Sequence, residues 1–159
     1  MILLSWQDDY RIGVPLIDRE HQYIFRLINE FNDKYAGGET QQQILLVLTR
    51  LVAYAEQHFQ HEEGLMQECG YPRLAHQQSL HEKLYGSIFA LNEDLSLRGS
   101  RVDTLTLRFL KYWMMDHILK EDMDIGDFMR RKLIQADKAA RMDTQANEPV
   151  FAAASAAKT

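Results

Sequence analysis

Apolar residues recur at intervals of three and four through most of this chain, the period of an α-helix with one buried face. The pattern predicts a first helix from about Asp18 to Tyr35, with His21, Ile24, Ile28 and Phe31 on one stripe and the Gly37-Gly38 pair ending it. A second runs from about Thr40 to Cys69 and carries Ile44, Leu48, Leu51, Ala55, His58, Glu62 and Leu65. Gly70-Tyr71-Pro72 then breaks the chain. A third, from about Leu74 to Leu97, carries Gln77, His81, Leu84, Ile88, Leu91 and Leu95, and Gly99 stops it. The fourth starts near Asp103, a residue type suited to capping a helix N-terminus, and carries Phe109, Leu110, Trp113 and His117. Its pattern continues past Phe128 to about Met142. Short connections make consecutive helices antiparallel neighbours, so the expected fold is all-α, an up-down-up-down antiparallel four-helix bundle. The mixed aromatic and polar segment from Trp6 to Pro15 is expected to cross it as an ordered N-terminal arm. Residues 1–142 are expected to form this single domain, and the Ala-rich residues 143–159 a disordered tail.

The stripes are interrupted by the wrong chemistry for a core. His21, His58, Glu62, His81 and His117 all fall on faces otherwise made of Ile, Leu and Phe, and an acid, Asp122, stands five residues beyond His117. Imidazoles and carboxylates inside a bundle are costly unless something pairs with them. His58 and Glu62, four apart, lie about 40° apart around a helix and can address one metal pair together. A lone histidine on an apolar face is more often a hydrogen-bonded core residue. A His–Glu pair with further histidines on three other helices fits a dimetal site better.

Bulk properties narrow the reading. A chain of 159 residues is long enough for one full core. Its formal charge of −5 argues against a nucleic-acid surface, and the short Arg130-Arg131-Lys132 run reads as a solvated helix face. One cysteine, Cys69, allows no internal disulfide and fits a reducing cytoplasm. The first residues lack the basic flank of a signal peptide, and no stretch approaches the roughly 20 apolar residues that span a bilayer. A cytoplasmic protein without membrane partners is expected.

Several of these residues also fall into a known pattern. Trp6 in the arm, Gly13-Val14-Pro15-Leu16-Ile17-Asp18 leading to His21, Asn29, His58-Phe59-Gln60-His61-Glu62-Glu63 followed by Met66, Tyr71-Pro72, His81, Trp113, and His117-Ile118 reaching Asp122 occur in this order. In this the chain resembles the hemerythrins, in particular the single-domain bacteriohemerythrins, over about Trp6 to Phe128. The resemblance implies a four-helix bundle around two non-haem iron ions, bridged by an oxo or hydroxo group and two carboxylates. It implies that His21 and His58 bind the iron with an open position, that Glu62 and Asp122 bridge, and that His81 and His117 bind the second iron. It further implies reversible O2 binding as a hydroperoxide, by a carrier, store or sensor rather than an enzyme. Manganese can occupy similar ligand sets.

The chain departs from the family at one ligand. Where the family has a third histidine for the second iron, four residues before His81, this chain has Gln77, with His76 beside it. In a regular helix Gln77 faces inward and His76 lies about 100° away, whereas a π-bulge between 76 and 81 would turn His76 inward. An amide oxygen is a weaker donor to iron than imidazole. That opens alternative readings: a di-iron oxidase or peroxidase-like scavenger of O2, peroxide or nitric oxide, or an iron-storage bundle. A second tension lies in the fourth helix, where ideal periodicity brings Glu121 nearer the His117 face, while the family spacing points to Asp122. Ile118 and Leu119 are both candidates to line the ligand pocket. Glu63 is expected to be solvated, and His61 to flank the site.

Overall fold

The computed structural model describes the backbone of residues 2–146 and the side chains of residues 2–139. Four long helices form, α1 (Pro15–Ala36), α2 (Gln41–Cys69), α3 (Leu74–Leu97) and α4 (Thr104–His117). A π-helical turn over Ile118–Asp122 joins α4 to α5 (Met123–Ala146), so that the two run on as one rod. The expected tail begins inside α5, which extends beyond Met142, and residues 147–159 lie outside the described residues.

Local chemistry sets the helix ends. Pro15 starts α1 three residues before the expected Asp18, because proline lacks the N–H that a first-turn position leaves unpaired anyway. Thr40 and Gln43 cap α2 reciprocally, and Asp103 and Thr106 do the same for α4. Gly70 takes the left-handed conformation (φ 67°) that ends α2, and the Tyr71 amide donates back to the Met66 carbonyl at 2.8 Å.

Connections of a few residues make α1 to α4 antiparallel neighbours in sequence, and contact between α1 and α4 closes the ring. Ile24, Ile28, Phe31, Leu48, Leu51, Ala55, Ile88, Leu110 and Met114 are fully buried in the main core. Phe109, expected on the inward stripe, is instead a borderline exposed residue one position off the face that Leu110 and Trp113 share. A smaller apolar cluster of Met66, Tyr71 and Ile125 sits at the opposite end of the bundle. The polar residues of the stripes fall between these two clusters, near the start of α1 and α3 and the ends of α2 and α4.

The arm is held by specific bonds. Asn29 accepts from the amides of Leu3 and Leu4 at 2.9 Å and donates to the Leu4 carbonyl at 2.7 Å. The Asp18 carboxylate accepts from the amides of Ile12 (2.8 Å) and Gly13 (3.2 Å). Trp6 packs edge-on against Phe25. Ile12 crosses α5 where Gly126 stands, so close that a β-carbon there would overlap the Ile12 carbonyl.

Candidate metal centre

Antiparallel packing brings one end of each helix to the same level, and with it the residues that broke the apolar stripes. α1 supplies His21, α2 supplies His58 and Glu62, α3 supplies Gln77 and His81, and α4 with its π-turn supplies His117 and Asp122; all seven are buried. The Nε2 atoms of the four imidazoles converge on the two carboxylates. Glu62 lies 3.5 Å from His21, 3.6 Å from His58 and 3.3 Å from His81. Asp122 lies 3.4 Å from His21 and 3.1 Å from His117. Each carboxylate thus touches imidazoles from more than one helix, Glu62 reaching those of α1, α2 and α3 and Asp122 those of α1 and α4, the arrangement that bridging demands. His81 and His117 bring their Nε2 atoms within 3.1 Å of one another.

Two groupings emerge, in each of which the candidate ligand atoms lie within 4.8 Å of one another: His21, His58 and Glu62, and Glu62, His81, His117 and Asp122. Glu62 belongs to both. Among the described residues, the buried side-chain nitrogens and oxygens without a hydrogen-bond partner belong to Trp6, His21, His58, Glu62, Gln77 and Asp122. Apart from Trp6, every one is in this layer. Unpaired polar atoms in a dry interior cost about 1–3 kcal/mol each, and a shared cation set satisfies them at one stroke. Nitrogen and carboxylate donors in these numbers fit two iron ions.

The π-turn resolves the tension on the fourth helix. Five residues of regular α-helix would rotate Asp122 about 140° from His117, whereas an i→i+5 turn brings them into line. Asp122 is fully buried, and Glu121 turns outward to pair with Arg73 (3.2 Å) and His76 (3.4 Å). No such irregularity occurs in α3, which is α-helical throughout. Gln77 is therefore the residue turned into the bundle, with neither amide atom paired, and His76 is on the surface. Ile118 is buried, while Leu119 is largely exposed.

Outer carboxylates orient two of the imidazoles. Glu20, which the sequence reading passed over, accepts from His58 Nδ1 at 3.0 Å and also from His61 Nδ1. Glu63, expected in solvent, accepts from His81 Nδ1 at 2.9 Å. A proton held on Nδ1 leaves the Nε2 lone pair free to face the site. Each imidazole ligand needs an acceptor behind it, and Glu20 and Glu63, next to His21 and Glu62 in sequence, are carboxylates placed to provide one.

The electrostatics are those of a site that favours positive charge. Burial opposes protonation of His21, yet contact with Asp122 and Glu62 outweighs it and pushes its pKa up to about 9. Burial likewise raises Glu62, but His58, His21 and His81 hold it well below the usual carboxylate range. Asp122, raised by burial and by Glu62, is brought down by His117 and His21. Two buried carboxylates held in their charged form favour a positive partner between them.

Comparison with known proteins points the same way. Residues 12–128 match the family model described as the hemerythrin HHE cation binding domain. The chain is 33% identical over 147 residues to a bacteriohemerythrin of Stenotrophomonas maltophilia, covering 85% of this chain and 87% of the relative. It is 32% identical over 127 residues to a bacteriohemerythrin of Methylococcus capsulatus, covering 79% of this chain and 96% of that one. It is similar in fold to a crystal structure of wild-type hemerythrin, with a TM-score of 0.73 at 31% identity, covering 79% of this chain and 96% of the other.

Proposed function

This chain belongs to the hemerythrin family, and on that premise we propose that it binds O2 reversibly at a non-haem di-iron centre held by His21, His58, Glu62, Gln77, His81, His117 and Asp122. The observation that carries the assignment is the confinement of unpaired buried polar atoms to this one layer, Trp6 aside. When bound, the iron pair supplies the reversible electron transfer to and from O2.

The chain's own residues do the rest. Glu62 and Asp122 span the two halves of the site and would hold both metal ions. His58 and His81 are fixed in tautomer and direction by Glu20 and Glu63, which limits how far each ring can turn when charge shifts at the centre. Phe59 stacks on His81 with ring centroids 4.3 Å apart, and Trp113 closes the gap to α3 by donating to the Leu84 carbonyl at 3.0 Å. These contacts, with the apolar clusters above and below, limit the access of water and protons, which favour irreversible oxidation. Binding and release of a gas need no further group; carriage, storage and sensing share this chemistry. Among the described residues no helix is long and apolar enough to cross a membrane, and a cytoplasmic setting is consistent with the single, unpaired Cys69.

A second reading, turnover of O2, peroxide or nitric oxide as an oxidase-like scavenger, is favoured by Gln77, whose amide is a weaker donor than imidazole. One experiment separates them. Protein loaded with ferrous iron is scanned optically without air, in air, and after O2 is removed again. A charge-transfer band that appears in air and vanishes on deoxygenation supports reversible binding. Irreversible conversion to the di-ferric spectrum, with consumption of reductant, supports scavenging.

A further inference from the structure

We propose that the His81–His117 side of the metal pair takes its own exogenous ligand, a small linear molecule with a lone-pair donor end, at the position held by Gln77. The proposal rests on the di-iron reading above. A metal served by His21 and His58 and another served by His81 and His117 each receive two imidazoles, with both carboxylates shared. Gln77 is the one further donor, and it belongs to the second metal because it lies one helical turn before His81 on the same face of α3.

Three observations give that position its character. Gln77 is wholly buried and both its amide atoms lack a partner, so it is aimed at something the protein itself does not provide. A neutral amide oxygen is displaced far more readily than an imidazole. The same side chain also carries an NH2 group whose two N–H donors can hold the far end of an incoming ligand once the oxygen has been displaced, whereas the single N–H of a metal-bound imidazole points away from the metal.

The third observation is a cleft that reaches His117, the other imidazole on this side of the centre. Between α3 and α4 lies a cleft of about 310 Å³ whose walls include Leu80, Leu84, Tyr112 and Trp113, with His117 on its floor. Leu80 and Leu84 stand three and seven residues after Gln77, on the face of α3 that Gln77 shares. The charged side chains at this cleft, Lys83, Lys120, Asp116 and Glu121, balance, and Lys120 is tied to Asp116 at 2.7 Å. It therefore selects for size rather than for charge. On the other flank of α3 a cavity of about 260 Å³ reaches His81, but there Phe59 lies flat against the ring at 4.3 Å and blocks approach.

The test counts ligands. Oxidised, iron-loaded protein is titrated with azide by calorimetry and absorption, alongside Gln77→His. Two azide ions per metal pair in the parent and one in Gln77→His are expected; one in both overturns the proposal. Gln77→Leu supplies a readout without metal. Its metal-free form should melt higher than the parent, because two unpaired buried polar atoms are gone. An unchanged or lower melting temperature means that the amide is satisfied within the protein, and the proposal falls. If the parent does not retain two irons, the di-iron reading itself fails, a result distinct from two irons with one azide.

Discussion

Glu20 shows how much of this site lies behind its ligands. Its carboxylate holds His58 and His61 together, and burial, which raises its pKa, is outweighed by those two imidazoles so that it stays below the ordinary value. Glu20→Gln keeps the shape and removes the charge; outer partners of this kind are typically worth about 10–100-fold in metal affinity. Competition with a chelator should show a loss of that size, and an unchanged affinity would mean that His58 is oriented by packing alone. His21 gives a pH signature. Its pKa of about 9 in the metal-free protein lies above its ordinary 6.5, so protonation favours the folded apoprotein. That contribution is complete below pH 6.5 and fades as pH rises through about 9. Melting temperatures of metal-free protein should fall across this window, and His21→Gln should flatten the fall. Iron binding needs the neutral ring, so uptake near neutral pH should release protons to an indicator dye.

At the scale of elements, the π-turn after α4 decides which acid enters the site. A regular helix would have presented Glu121, and the structure presents Asp122. Asp122→Ala is expected to abolish retention of a full iron pair, while Glu121→Ala, which removes only exposed pairings with Arg73 and His76, leaves it intact. Metal analysis after gel filtration distinguishes the two, and equal loss from both would contradict the assignment. The contrast with α3 is instructive. There the helix stays regular, and the choice between Gln77 and His76 follows directly from a rotation of about 100° per residue.

Over the whole molecule, the arm and the rod of α4 and α5 lock the ligand end of the bundle. Gly126 lets Ile12 pass, and Asp18, three residues before His21, anchors the same stretch of arm. Gly126→Ala forces backbone apart rather than a flexible side chain. Overpacking of this kind costs about 1–3 kcal/mol, or a fall in melting temperature of about 2–12 °C for a chain of this size. Thermal unfolding checks it, and an unchanged midpoint would mean that the arm moves aside freely. Iron should act in the opposite sense, stabilising the fold by about 2.7 kcal/mol at a hundred times its dissociation constant.

The helices, their order and the inward faces were legible in the sequence because amphipathic periodicity is a local property: the stripe through Leu48, Leu51, Ala55, His58 and Glu62 fixes one face of α2 whatever it packs against. The polar residues on those stripes were legible for the same reason, as exceptions to a period. What the sequence could not fix was anything that depends on a departure from ideal helix geometry or on a neighbour distant in the chain. Asp122 faces inward through a π-turn that periodicity does not encode. Glu20 and Glu63 acquire their roles only when α1 and α3 are laid beside α2, since a hydrogen bond of 3.0 Å between residues 38 apart leaves no mark on local pattern. The convergence of imidazoles on Glu62 and Asp122 is likewise tertiary, because residues from four helices must meet at one level.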